Sequence, residues 1–87
     1  MEKFEVGKRY EMRSACDQNC VWRYKVSGRS EKTITLQKID NNGKVSPVKV
    51  HYRINKRDTE YFGAEAVRPL GTYSMCPILR ATEVINS

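Results

Sequence analysis

Thr33-Ile34-Thr35-Leu36-Gln37, then Asp40-Asn41-Asn42-Gly43, then Val48-Lys49-Val50-His51-Tyr52-Arg53-Ile54: these three pieces decide how the chain folds. Apolar and polar residues alternate at period two on both sides of the Asn-Gly pair, the pattern of half-buried strands. Asn-Gly suits the positive φ that tight hairpin turns require. The reading is therefore an antiparallel hairpin. Ile34 and Leu36 point inward on the first strand, and Val48, Val50, Tyr52 and Ile54 on the return, which leaves Lys49, His51 and Arg53 outward. Pro47 stands at the start of the return strand, where its missing N–H does least harm.

The same period extends upstream. Trp22, Tyr24 and Val26 share one face and Arg23, Lys25 and Ser27 the other, and Gly28 ends that strand or marks a bulge. Tyr10 and Met12 alternate with charged neighbours within residues 8–13, and residues 14–19 form a turn rich in Asp and Asn. Downstream the pattern weakens. Asp58 to Phe62 reads as one helical turn, capped by Asp58 or Thr59 and stopped at Gly63. Residues 64–69 hold a short strand, Leu70-Gly71-Thr72-Tyr73 a turn, and the last strand lies around Ile78 and Leu79 after Pro77. The fold class is mainly β: a small barrel, SH3-like in form, or a strongly curled antiparallel sheet, of five to six short strands with at most one short helical turn. With 87 residues there is apolar material for one core, so residues 1–87 are expected to be a single domain.

Net charge is +6, concentrated in the middle of the chain. Residues 1–20 balance, residues 21–57 carry ten basic side chains against Glu31 and Asp40, and residues 58–87 carry two basic against four acidic. Clustered Lys and Arg attract phosphates and release the counterions condensed on a polyanion. The expected nucleic-acid-binding residues are Arg23, Lys25, Lys49, His51, Arg53, Lys56 and Arg57. They act together if the second and fourth strands lie close. Among the aromatics, Trp22, Tyr24 and Tyr52 have inward parity and belong to the core. Tyr61, Phe62 and Tyr73 sit in less regular segments and are the expected exposed contacts, on which bases stack.

Other chemistries find less support. Cys16, Cys20, His51 and Cys76 match a Cys3His zinc site in number. However, His51 has outward parity among Lys and Arg, which disfavour a cation, so the expectation is no metal and no cofactor. The sequence contains no Gly-rich phosphate loop of the Walker or Rossmann pattern, and the available Cys, His and carboxylate pairings are those any chain of this length offers. The expectation is therefore a protein that binds and is not an enzyme. Residues 1–10 lack the apolar stretch of a signal peptide, and no run approaches the roughly 18–20 apolar residues of a membrane span. A cytoplasmic location with reduced thiols and no membrane partner follows as an expectation.

Phe4-Glu5-Val6-Gly7-Lys8-Arg9-Tyr10, Gly28-Arg29-Ser30-Glu31-Lys32-Thr33-Ile34-Thr35-Leu36, and Gly63-Ala64-Glu65-Ala66-Val67 followed by Tyr73-Ser74-Met75-Cys76-Pro77 resemble the small basic proteins of Gram-positive phages and mobile elements. The resemblance implies a biological setting and no particular activity. Charge and pattern together point to a small nucleic-acid-binding protein, DNA or RNA. The alternative is a protein-interaction module, such as an inhibitor of a host or anti-phage defence enzyme.

Overall fold

A computed structural model describes residues 2–13, 21–71 and 77–85. Its elements are β1 (Arg9–Arg13), β2 (Val21–Arg29), β3 (Thr33–Ile39), β4 (Val50–Arg53), α1 (Lys56–Phe62), β5 (Ala66–Val67) and β6 (Leu79–Arg80). The first four form an antiparallel sheet in the order β1-β2-β3-β4, and β5 pairs with β6 in a second, two-stranded sheet. The mainly β expectation holds, with six strands among the described residues, whose sheets do not close into a barrel.

The quoted hairpin is present. Gly43 adopts φ 83°, Gly43 N–H donates to Asp40 O at 3.0 Å, and the Asp40 carboxylate accepts from the Asn42 and Lys44 N–H groups. Strand pairing resumes only after a break. Val45 bridges Ile39 and Ser46 N–H reaches Lys38 O, but the β3–β4 register runs from Leu36↔Val50 to Thr33↔Arg53, with residues 47–49 between. Pro47 lies in that gap, where it has no N–H to give to a ladder.

Inward parity is correct for β1, β2 and β3: Tyr10, Met12, Tyr24, Val26, Ile34 and Leu36 are buried, and Trp22 packs half-buried at the margin of the cluster. Phe4 joins them, edge-on to Tyr10 with ring centroids 4.9 Å apart. Ala64, Val67, Leu79 and Ala81 from the second sheet and its flanks complete the core. Burial pushes the Tyr24 phenol up to about 12, with the nearby Tyr52 adding to the shift. Val48 and Val50 are the exceptions. Expected inside, they are 63% and 41% exposed, because β4 is the last strand of its sheet and the core cluster does not extend to its beginning.

Gly28 does mark a bulge, and the strand continues through it. The β2–β3 register shifts between Val26 and Gly28, so that Gly28 faces Thr35 and Arg29 faces Ile34. The shift moves Arg29 from the outward row to the inward one. There its guanidinium meets the buried Glu65: Nη1 and Nη2 donate to the two carboxylate oxygens at 2.7 and 2.9 Å.

The helix is seven residues long, about two turns, and begins earlier than expected. Its N-cap is Asn55, whose Oδ1 accepts from Asp58 N–H at 3.0 Å, and not Asp58 or Thr59. Asp58 is buried and paired with Arg68 instead, an interaction across ten residues that no local capping pattern reveals. Gly63 ends the helix as anticipated, with φ 68° and its N–H on Thr59 O. Backbone bonds join the two sheets: Asn55 N–H donates to Ala66 O, Glu11 N–H to Glu83 O, and Ile85 N–H to Arg9 O. Among the described residues no helix is long and apolar enough to cross a membrane.

Candidate nucleic-acid interface

Two local rules place the basic side chains. Alternation along β4 turns His51 and Arg53 to the face opposite Tyr52, and the Asn55 cap then starts α1 so that Lys56 and Arg57 fall in its first turn. Arg53, Lys56 and Arg57 consequently line one cleft of about 500 Å³ together with Tyr52, Ile54, Asn55 and Arg68. A second hollow, about 270 Å³, shares Arg53, Ile54 and Lys56 with the first and adds Glu31, Lys32, Thr59 and Glu65. Arg53 and Lys56 are thus a rim common to both.

Which of these charges are free to act depends on their partners. Arg68 holds Asp58 through Nε at 2.6 Å and Nη2 at 2.8 Å. The guanidinium keeps the Asp58 carboxyl below its usual range, against the opposing effect of burial, and Arg57 adds a smaller pull in the same direction. Glu65, at the inner wall of the second hollow, is taken by Arg29. By contrast, Lys32, Arg53, Lys56 and Arg57 form no ion pair among the described residues, where the pairs are Lys8–Glu5, Arg13–Glu11, Arg23–Glu11, Arg29–Glu65, Arg68–Asp58 and Arg80–Glu83. Against these four cations stand Glu31, which lines the second hollow, and Glu60, one turn after Lys56; the excess of positive charge raises the local potential and attracts a polyanion.

The remaining expected residues are placed elsewhere. Arg23 and Lys25 lie on β2 opposite Glu11 and Arg9, and Arg23 approaches Glu11 at 3.8 Å. β3 separates them from β4, presenting Thr33, Thr35 and Gln37 on that face. Two strand spacings of roughly 4.8 Å separate β2 from β4, and the register offsets the groups along the sheet as well, with Arg23 and Lys25 beside Ile39 and Gln37 but His51 and Arg53 beside Thr35 and Thr33. They do not merge into one patch around neighbouring strands. His51 shares a 2.7 Å hydrogen bond between Nδ1 and Thr35 Oγ1, and Lys49 is exposed ahead of β4.

Tyr61 is 81% exposed on α1, and Phe62 is half-buried beside it, with ring centroids 4.9 Å apart at 87°. The Arg80 guanidinium lies 4.9 Å from the Phe62 ring centroid. Tyr73 and all three cysteines, Cys16, Cys20 and Cys76, lie outside the described residues, and with them the zinc question; no group of three ligating side chains occurs among the described ones.

Sequence reasoning missed two participants. Lys32 enters because the register places it beyond the Thr33↔Arg53 pair, where Ile54 N–H donates to its carbonyl at 2.8 Å. The register itself would have revealed it, had the break after Ser46 not hidden the pairing. Tyr52 has the inward parity expected, yet stays half-buried and lines the cleft, because β4 lies at the sheet margin. Comparison of the chain with protein-family models, curated proteins and solved structures finds no match.

Proposed function

We propose that this protein binds nucleic acid, without catalysing a reaction, through the cleft between β4 and α1. The observation that carries the proposal is the convergence of Arg53, Lys56 and Arg57, joined by Lys32, on adjoining hollows where none of them has an ion-pair partner among the described residues. In our reading phosphates occupy these positions, and Lys49 and the β2 pair Arg23 and Lys25 extend the field that steers the polyanion in. The linked sheets support a curled, SH3-like course of the chain. A phage or mobile element is the setting we propose, on the resemblance of the three segments quoted above.

The test is a fluorescence-anisotropy titration of labelled oligonucleotides across a salt series. Four phosphate contacts give a log-log slope of about −3.6 on duplex DNA and about −2.8 on single strands. Replacing Lys56 and Arg57 together by Glu should reduce affinity far more than replacing Lys3 and Lys8, of which Lys8 already pairs with Glu5. Equal losses would mean that net charge alone matters. Absence of binding at low ionic strength would leave the protein-interaction module as the account of this surface.

A further inference from the structure

Most of the Tyr61 ring faces solvent, and its setting gives that exposure a use. Tyr61 is not part of the core cluster, so its exposed area contributes little to holding the fold. Its orientation is nevertheless constrained. The ring meets Phe62 edge to face, Phe62 is held in turn by the Arg80 guanidinium, and Arg80 is anchored by Glu83 at 2.8 Å. Such a chain of contacts leaves an aromatic surface that loses little freedom on binding.

Position matters as much as exposure. Tyr61 lies four residues after Arg57, which lines the cationic cleft, and side chains so spaced on a helix stand side by side with Cβ atoms about 5–6 Å apart. Arg57 and Tyr61 form one row along α1. The acid on the exposed part of this helix, Glu60, falls in the neighbouring row, four after Lys56. A cation beside an aromatic on one row suits one nucleotide, its phosphate on Arg57 and its base on Tyr61.

We infer that the ligand of this site is a single-stranded nucleic acid, one base of which stacks on Tyr61; the inference rests on the cationic-cleft reading above. Base faces are hidden in a duplex and available in a single strand, where an aromatic platform is used without regard to sequence. A duplex groove is the poorer fit, because a helix of seven residues entering it would carry Glu60 toward flanking phosphates.

Three probes separate the possibilities: oligothymidine of about 12 nucleotides, within the site sizes such grooves cover, an abasic strand of equal length, and a duplex of equal length. Tyr61→Ala should weaken oligothymidine binding about 5- to 150-fold, leave the salt slope unchanged, and leave the abasic strand unaffected. Tyr61→Phe should retain most of the affinity. Because the side chain is exposed, the Ala variant should keep the wild-type melting temperature, which circular dichroism checks. The inference is overturned if Tyr61→Ala has no effect on oligothymidine, if it weakens abasic and base-bearing strands by the same factor, or if the duplex binds more tightly than either single strand. In each of those cases the cationic reading survives. Failure of the wild-type protein to bind any of the three probes overturns both.

Discussion

Replacing Arg29 by Met keeps the apolar stem that passes through the inward row after the β2 bulge and removes only the charged fork. In the wild type Glu65 Oε1 accepts from Phe4 N–H and from Arg29 Nη1, both at 2.7 Å, while Oε2 accepts from Nη2 at 2.9 Å. Nη1 also donates to Phe4 O at 2.6 Å. After substitution a carboxylate only 8% exposed keeps one hydrogen bond and, of its counter-charges, only the weaker pull of Lys3. Breaking a buried pair in this way costs about 3–5 kcal/mol. The Arg29 side chain is 21% exposed, so water enters from its side and screening brings the cost below that range, to about 2–3 kcal/mol. A chain of 87 residues has about 4–13 kcal/mol in all, so the loss is a large share of it and lowers the melting temperature by about 8–24 °C. Calorimetry and urea unfolding at neutral pH measure both quantities. A second substitution sharpens the test: Glu65→Gln removes the stranded charge, so the double variant Arg29→Met/Glu65→Gln should be more stable than Arg29→Met alone. A cost under about 0.5 kcal/mol for Arg29→Met, or a double variant less stable than the single, would refute the reasoning.

The same carboxylates set the acid limit. Burial pushes the Glu65 carboxyl up, but the hydrogen bonds from Arg29 and Phe4 N–H outweigh it, and Arg68 holds Asp58 down, so both titrate below the ordinary carboxyl range in the folded state. The unfolded chain then binds more protons as pH falls. Stability is complete above about pH 5 and declines through pH 4 and below; a urea midpoint unchanged between pH 7 and pH 3 would contradict this. At the helix ends, Asn55→Ala should cost about 1 kcal/mol by removing the cap on Asp58 N–H. Gly63→Ala should cost about 1–2 kcal/mol, because the backbone is left-handed there while the space for a Cβ is open. Thermal unfolding of the two variants checks both figures.

Period-two alternation placed Tyr10, Met12, Tyr24, Val26, Ile34 and Leu36 inside, and Asn42-Gly43 and Gly28 marked a turn and a bulge that the structure contains. These features were legible because each depends on residues a few positions apart: the pleat dictates parity, and a glycine without Cβ permits the turn. Parity says which way a side chain points and not whether anything covers it, which is why Val48 and Val50 lie exposed and Tyr52 lines a cleft. The basic block in residues 21–57 was equally plain, but its division was not. Whether a cation is free or neutralised depends on partners far along the chain: Arg29 on Glu65, 36 residues away, and Asp58 on Arg68, ten away. The break after Ser46 concealed the register that brings Lys32 to Arg53, and the sheet order inserted β3 between Lys25 and His51. The sequence by itself therefore determined the strands, their faces and the sign of the surface, because short-range sterics and hydrophobic period suffice for these. Only the tertiary structure decided which charges gather around Tyr52 without an ion-pair partner among the described residues, because charge compensation is a property of what folds next to what.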